Sequence, residues 1–269
     1  MRDELALACS AFRMALPRNA LHGRLGTHQG RGTGSSLELA DFREYVPGDD
    51  PRHIDWRGYA RTDKLHVRLF REEIAPQLDV IVDLSASMGV LARKERGLRD
   101  LAQAFLTWGE RAGCATRALA AGGDEILDLE RVPIASGNSG GFESQTPLRR
   151  RGLVVLLSDF LLEGDPAPAL RRIGGAAAHL WVVQILDPWE LDPDAEGPRT
   201  LVDCETGART TVNVGSRAIA LYKQKLERLC DFVASAARAA GASFAQVVAA
   251  APRAMFADQL MPQGVLEPA

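Results

Sequence analysis

The feature that most constrains this chain is the run Leu78-Asp79-Val80-Ile81-Val82, apolar almost throughout and ended by Asp83. A strand with one wet face alternates polar and apolar residues; this one does not, so both of its faces need cover. That is the condition of a strand inside a parallel sheet with helices on either side. The segments that follow keep to the same plan. Leu98, Leu101, Phe105, Trp108 and Ala112 recur at intervals of 3, 4, 3 and 4, the stripe of a helix, which Gly113 closes. Residues 115–120 and 125–129 flank Gly122-Gly123-Asp124 and read as a hairpin. Residues 153–157 and 180–185 are two more apolar strands, with a helix over 166–173 between them. Residues 200–204 and 209–214 form an inserted hairpin around Glu205-Thr206-Gly207. Ile219, Tyr222, Leu226, Leu229, Val233 and Ala237 then mark a long helix, followed by a strand at 243–248 and a short helix near 255–260. The expected fold is α/β: a doubly wound, mostly parallel six-stranded sheet. Counted along the chain, its strands take the order 3-2-1-4-5-6, with the strand at 125–129 antiparallel at one edge.

Before Pro76 the texture changes. A short helical segment leads into Gly23, Gly26, Gly30, Gly32 and Gly34, and then into a densely charged block over 37–73. Within that block Asp41, Glu44, Asp49, Asp50, Asp55, Asp63, Glu72 and Glu73 face Arg43, Arg52, Arg57, Arg61, Lys64, Arg68 and Arg71. The signs nearly balance, which predicts a salt-bridged module of strands and turns, with Pro47-Gly48-Asp49-Asp50 as a turn and Tyr45, Ile54 and Trp56 as its packing; the other reading of the same charges is a partner-recognition surface. Residues 64–69 alternate as a half-buried strand. The boundaries are therefore set at 1–75 for the N-terminal helix, Gly-rich linker and charged module, and 76–269 for the α/β domain.

Composition enters as exclusion. The 32 Lys and Arg against 35 Asp and Glu give a net charge of −3, so no general basic field exists to grip nucleic acid. Arg149-Arg150-Arg151 has no aromatic residues interleaved with it and reads as a solvated entry to the next strand. Gly30-Arg31-Gly32-Thr33-Gly34 follows no strand and lacks the G-K-[ST] ending of a phosphate loop. Cys9, Cys114, Cys204 and Cys230 are scattered, as reduced thiols of a cytoplasmic protein are, and His22, His28, His53, His66 and His179 form no zinc motif. No stretch is long and apolar enough for a membrane segment.

The chemistry gathers where the first sheet strand ends. Asp83-Leu84-Ser85-Ala86-Ser87 is a D-x-S-x-S pattern, and ligands of doubly wound sheets sit beyond the carboxyl ends of their strands. By themselves an Asp and two Ser are ordinary turn and cap residues. Here a later strand also ends in Ser158-Asp159, which brings a second carboxylate alongside if the two strands are neighbours. Carboxylates and hydroxyls are hard oxygen donors of the kind Mg²⁺ or Mn²⁺ prefers.

This constellation resembles the metal-ion-dependent adhesion site of von Willebrand factor A domains. The preceding block, Asp41-Phe42-Arg43-Glu44-Tyr45-Val46-Pro47-Gly48-Asp49-Asp50-Pro51-Arg52-His53-Ile54-Asp55-Trp56 with Ala60-Arg61, Leu65-His66-Val67-Arg68 and Glu72-Glu73, is similar to the bacterial domain of unknown function 58 family. The resemblance implies a von Willebrand A-like fold and a metal held by Asp83, Ser85, Ser87 and Asp159, with a threonine from a separate loop. Thr146 is the threonine available between Arg131 and Gly152, a Gly-, Ser- and Arg-rich stretch that departs from the family pattern. It also implies association with a MoxR-type AAA+ ATPase. The expected function is a non-enzymatic protein-interaction adaptor whose divalent metal, Mg²⁺ or Mn²⁺, accepts an acidic side chain of a partner. The competing expectation is a metal-dependent hydrolase or nuclease using Asp83, Asp159 and the acidic N-terminal block. It lacks an evident nucleophile or general base beside the motif.

Overall fold

A computed structural model describes residues 2–17, 37–72, 75–123, 125–126, 128–134, 147–149, 151–161, 164–194 and 196–269. Two compact units emerge, Met1–Pro17 with Gln77–Ala269, and Arg18–Pro76.

The larger unit opens with helix α1 (Arg2–Ser10) and strand β1 (Phe12–Met14). The smaller unit holds β2 (Leu37–Glu44), α2 (Trp56–Thr62) and β3 (His66–Glu72). The larger then resumes with β4 (Gln77–Val82), α3 (Ala86–Gly89), α4 (Ala92–Arg111), β5 (Ala115–Ala120), β6 (Glu125–Ile126), β7 (Leu153–Ser158), α5 (Ala167–Ala176) and β8 (His179–Leu186). It ends with α6 (Pro188–Leu191), β9 (Gly197–Val202), β10 (Arg209–Val214), α7 (Ser216–Ala239), β11 (Ser243–Val248), α8 (Pro252–Ala254), a wider helical turn over Met255–Leu260, and β12 (Leu266–Pro268).

Six of these strands form one sheet in the order β11-β8-β7-β4-β5-β6, which is the expected 3-2-1-4-5-6. Every neighbouring pair is parallel except β5 with β6. That edge strand is shorter than the sequence suggests, two residues after the left-handed Gly122 and Gly123. The central strand β4 is buried along Leu78, Val80, Ile81 and Val82, as its unbroken apolar run requires. Ile81, Val154, Leu156 and Val182 pack on one face against Leu170 and Ile173 of α5 and Val233 and Ala237 of α7. On the opposite face α4 lies against β4, β5, β7 and β8, burying Leu98, Leu101, Phe105 and Trp108. The hairpin β9–β10 is antiparallel, forms a sheet of its own, and is exposed along most of its length.

One boundary differs from the sequence reading. The N-terminal helix goes with the sheet unit: the Trp108 indole donates to the Cys9 carbonyl at 3.0 Å, and β1 pairs with β12. A buried indole N–H needs an acceptor, and the end of α1 supplies it.

In the smaller unit β2 and β3 pair antiparallel. The segment between them carries a helix, α2, that a strand-and-turn reading does not anticipate; Asp63, left-handed at φ 56°, ends it. Ile54 and Val67 form the buried contact, each 5% exposed. Trp56 is not part of that packing: it is 57% exposed and meets Tyr59 edge to face. The expected salt bridges are present as Arg43–Asp49, Arg52–Asp50 and Arg68–Asp55. The Gly-rich linker and Glu73 lie outside the described residues.

Candidate metal centre

Because β4 and β7 are parallel neighbours in register, Val82 opposite Leu157, their carboxyl ends deliver Asp83 and Ser158-Asp159 to one place. The Asp83 N–H donates to the Leu157 carbonyl at 2.9 Å, which continues the ladder one residue past the strand. Ser158 Oγ donates to Asp83 Oδ2 at 2.6 Å and the Ser85 N–H to Asp83 Oδ1 at 2.9 Å. The carboxylate is thus gripped by neutral donors, and among the described residues it has no ion-pair partner. Burial, and next the negative charge of Asp159, push the Asp83 carboxyl above the usual carboxylate range, against the pull of the Ser158 and Ser85 hydrogen bonds. A cation at this place would reverse the balance.

The two serines are not caps. Ser85 precedes α3 in the N-cap position, yet its hydroxyl makes no capping bond. It lies instead 3.0 Å from Ser87 Oγ, both side chains being buried. The two hydroxyls share a hydrogen bond, and their separation is also compatible with two cis ligands of an octahedral Mg²⁺, which stand about 2.9 Å apart at the usual 2.0–2.1 Å.

Asp159 is fully buried and differently partnered. Its Oδ1 accepts the Leu161 N–H at 2.9 Å and its Oδ2 accepts Lys94 Nζ at 2.8 Å, while Gln184 Nε2 donates to its carbonyl at 3.0 Å. The chain leaves the site through Phe160, left-handed at φ 58° and 2% exposed, an uncommon backbone for a bulky residue that the surrounding core enforces. Lys94 is itself without exposed surface and also donates to Glu190 Oε1 at 2.5 Å. Burial alone would discharge this ammonium, but Asp159 and Glu190 outweigh it and hold the Lys94 pKa above its ordinary value. Glu190 is fixed in turn by a reciprocal cap at α6: its Oε2 accepts the Asp187 N–H at 2.7 Å, and Asp187 accepts from Trp189 N.

Asp83, Asp159 and Glu190 against Lys94 are three acids and one base, an excess of two formal negative charges in a buried cluster. With two adjacent hydroxyls and two carboxylates, this donor set fits a hard divalent cation. Asp83, Ser85, Ser87 and Asp159 are therefore brought together as the sequence suggests, and Thr146 lies outside the described residues. Among those residues no group of three or more His, Cys, Asp and Glu side chains is disposed around a metal position. The centre depends on its serines. In the acidic block Asp49, Asp50 and Asp55 are each paired with an arginine, and the Arg52 side chain takes Asp50 down to about 2.

Sequence reasoning missed Lys94 and Glu190. Both left a signal: Lys94 stands four residues before Leu98 on the apolar stripe of α4, where a lysine needs a buried acid, and Asp187-Pro188-Trp189-Glu190 is a capping-box pattern.

The pattern of the family described as Protein of unknown function DUF58 matches residues 41–141 and 142–228. Uncharacterized protein Rv1480 of Mycobacterium tuberculosis (strain ATCC 25618 / H37Rv) is 31% identical over 208 residues, 68% of this chain. Uncharacterized protein Mb1516 of Mycobacterium bovis matches to the same extent. The matched part is 65% of the length of each of these relatives. A solved structure, the conserved hypothetical protein BatB from Bacteroides thetaiotaomicron, aligns at a TM-score of 0.39 with 12% identity over 65% of this chain and 92% of that one, too remote to carry an argument. The family match takes in the charged block, the D-x-S-x-S turn and the strand that ends in Asp159, so the chain belongs to the DUF58 family.

Proposed function

We propose that this chain is a non-enzymatic, von Willebrand A-like adaptor whose Asp83, Ser85, Ser87 and Asp159 hold Mg²⁺ or Mn²⁺, leaving room for an acidic side chain of a protein partner. The observation that carries the reading is the pair of buried, uncapping hydroxyls 3.0 Å apart beside a carboxylate with no counter-cation. When bound, the metal supplies a positive centre that a carboxylate from another chain can complete. The residues of this chain fix the donors: β4 and β7 set the spacing of the two acids, Ser158 orients Asp83, and Lys94 holds Asp159. A binding role suits them better than hydrolysis. Lys94 is locked between two acids, and the described histidine of the sheet unit, His179, stands at the opposite, amino end of β8. The partner is a MoxR-type AAA+ ATPase on the strength of the family resemblance, and the cytoplasm is the proposed compartment. No described helix is long and apolar enough to cross a membrane.

The test is complex formation with the MoxR-type ATPase of the same organism, followed by size-exclusion chromatography with light scattering. Magnesium is kept present throughout, because the ATPase needs it too. The adaptor reading predicts a complex with wild type and none with Ser85→Ala/Ser87→Ala. Magnesium-dependent hydrolysis of phosphoesters that Asp83→Ala abolishes would establish the hydrolase instead.

A further inference from the structure

An open sheet has two edges, and an edge strand presents unpaired N–H and C=O groups to any other strand that meets it. This sheet ends in β6 on one side and β11 on the other. The β6 edge is two residues long, too short to act as a template. The β11 edge is Ser243-Phe244-Ala245-Gln246-Val247-Val248, with no charge, proline or glycine to discourage pairing and with strong strand formers at Phe244, Val247 and Val248. Its backbone groups at Gln246 and Val248 are nevertheless occupied. The Val248 N–H donates to Gln259 Oε1 at 2.6 Å, and Gln259 Nε2 donates to the Val248 carbonyl at 3.0 Å. The Gln246 N–H donates to Gln263 Oε1 at 3.0 Å, and Gln263 Nε2 donates to the Gln246 carbonyl at 2.9 Å. Each side-chain amide therefore exchanges two bonds with one residue of β11, as the facing residue of an antiparallel strand does. The spacing suits the purpose, since four residues of helical backbone rise about 6 Å and two of strand about 6.6 Å. Gln263 Nε2 also donates to the Gln259 carbonyl at 2.7 Å, which ties the pair together. Behind them the turn is anchored by Met255, Phe256 and Leu260, all without exposed surface, with Phe256 edge-on to Trp108 at 4.8 Å.

We propose that Gln259 and Gln263 stand in for a further strand of the sheet, a cover that keeps β11 from pairing with the β11 of a second copy of this chain. An uncharged strand laid antiparallel against itself about a two-fold axis satisfies the edge groups of both copies at once and sets no like charges opposite each other, so a second copy is the partner this edge fits. The four amide bonds are made within one chain and need no encounter, which keeps the edge closed as long as both side chains are present. Removing the amides leaves the groups at Gln246 and Val248 to water or to another strand. Residues 261–264 are exposed and Gln263 holds that stretch to the strand, so this end of the cover is the one that opens.

The experiment compares the full chain with Gln259→Ala/Gln263→Ala and Gln259→Glu/Gln263→Glu. Hydrogen exchange followed by nuclear magnetic resonance reads the Gln246 and Val248 amides, and light scattering after size exclusion reads the mass over a wide range of protein concentration. The buried anchors are untouched in both variants, and Gln263→Ala alone changes one exposed side chain and tests the Gln246 contact by itself. In the dilute alanine variant the two amides should exchange about tenfold faster than in wild type. As its concentration rises the mass should double and the exchange should slow again, while wild type keeps one mass throughout. The glutamate variant should also keep the wild-type mass, because carboxylates on the edge repel those of the second copy. Unchanged exchange in the alanine variants would overturn the cover. A wild-type mass for the double alanine variant at every concentration, or equal association of the glutamate variant, would overturn its role against a second copy.

Discussion

Replacing Lys94 with methionine tests the electrostatic design of the centre. Methionine fills a volume close to that of the lysine stem, so the cavity contribution is small and the change is one of charge. In wild type the ammonium has no exposed surface and holds Asp159 at 2.8 Å and Glu190 at 2.5 Å. Lys94→Met leaves those two acids buried with no counter-cation, a loss of roughly 3–5 kcal/mol by analogy with other broken buried pairs. At about 2–4 °C per kcal/mol for a protein of this size, the melting temperature falls by roughly 6–20 °C. Urea unfolding at neutral pH in EDTA, with Glu190→Gln and the double variant alongside, isolates the pair: the double variant should lose less than the sum of the singles. A loss below about 1 kcal/mol for Lys94→Met would refute the reasoning, since a buried ammonium that can be deleted at so little cost is not balancing two carboxylates.

Asp79, fully buried in the middle of β4, receives Arg117 at 2.7 and 3.0 Å and the Arg149 N–H at 3.1 Å, so Asp79→Asn should cost about 2–3 kcal/mol, moderated by the solvent Arg117 still reaches; denaturant midpoints measure it. Burial lowers the His179 pKa, so the unfolded chain takes up a proton near ~6.5 that the folded chain refuses. The associated stability is whole above that pH and is lost as pH falls through it, and His179→Gln should flatten this limb in urea midpoints taken from pH 8 to 5. Maleimide labelling of the native chain followed by mass mapping should modify the exposed Cys204 and spare Cys114 and Cys9, whose buried thiol is pushed up to about 11.

Most of the sheet is legible in the sequence because its residues answer to local rules. Leu78, Val80 and Val82 line one side of the pleat and Ile81 makes the other apolar too, apart from Asp79, so β4 had to be interior; the pair Gly122-Gly123 forces the chain to reverse, so the next strand had to be antiparallel. The pairing of Asp83 with Ser158-Asp159 follows from strand order alone. What stayed hidden depends on partners distant in sequence. Lys94 meets Asp159 and Glu190 across 65 and 96 residues, and Glu205 meets Ser87 across 118, separations that no periodicity reports. The place of α1 likewise depends on distant partners: its Cys9 carbonyl accepts from the Trp108 indole and from Arg111, about a hundred residues on. In the charged module, Trp56 misled because large aromatic residues are usually buried, whereas here Ile54 and Val67 fill the small interior that a two-stranded sheet provides.

The most direct measurement of the central claim is the melting temperature of wild type and Asp83→Ala in EDTA and in excess Mg²⁺ or Mn²⁺. A cation that binds only the folded chain stabilises it by about 2.7 kcal/mol at a hundredfold excess over its dissociation constant. At about 2–4 °C per kcal/mol, wild type should gain roughly 5–11 °C. Asp83→Ala should gain nothing, and in EDTA it should melt no lower than wild type, because it deletes a buried acid that Asp159 repels. No shift in wild type at millimolar Mg²⁺ and Mn²⁺, or an equal shift in Asp83→Ala, would contradict the account.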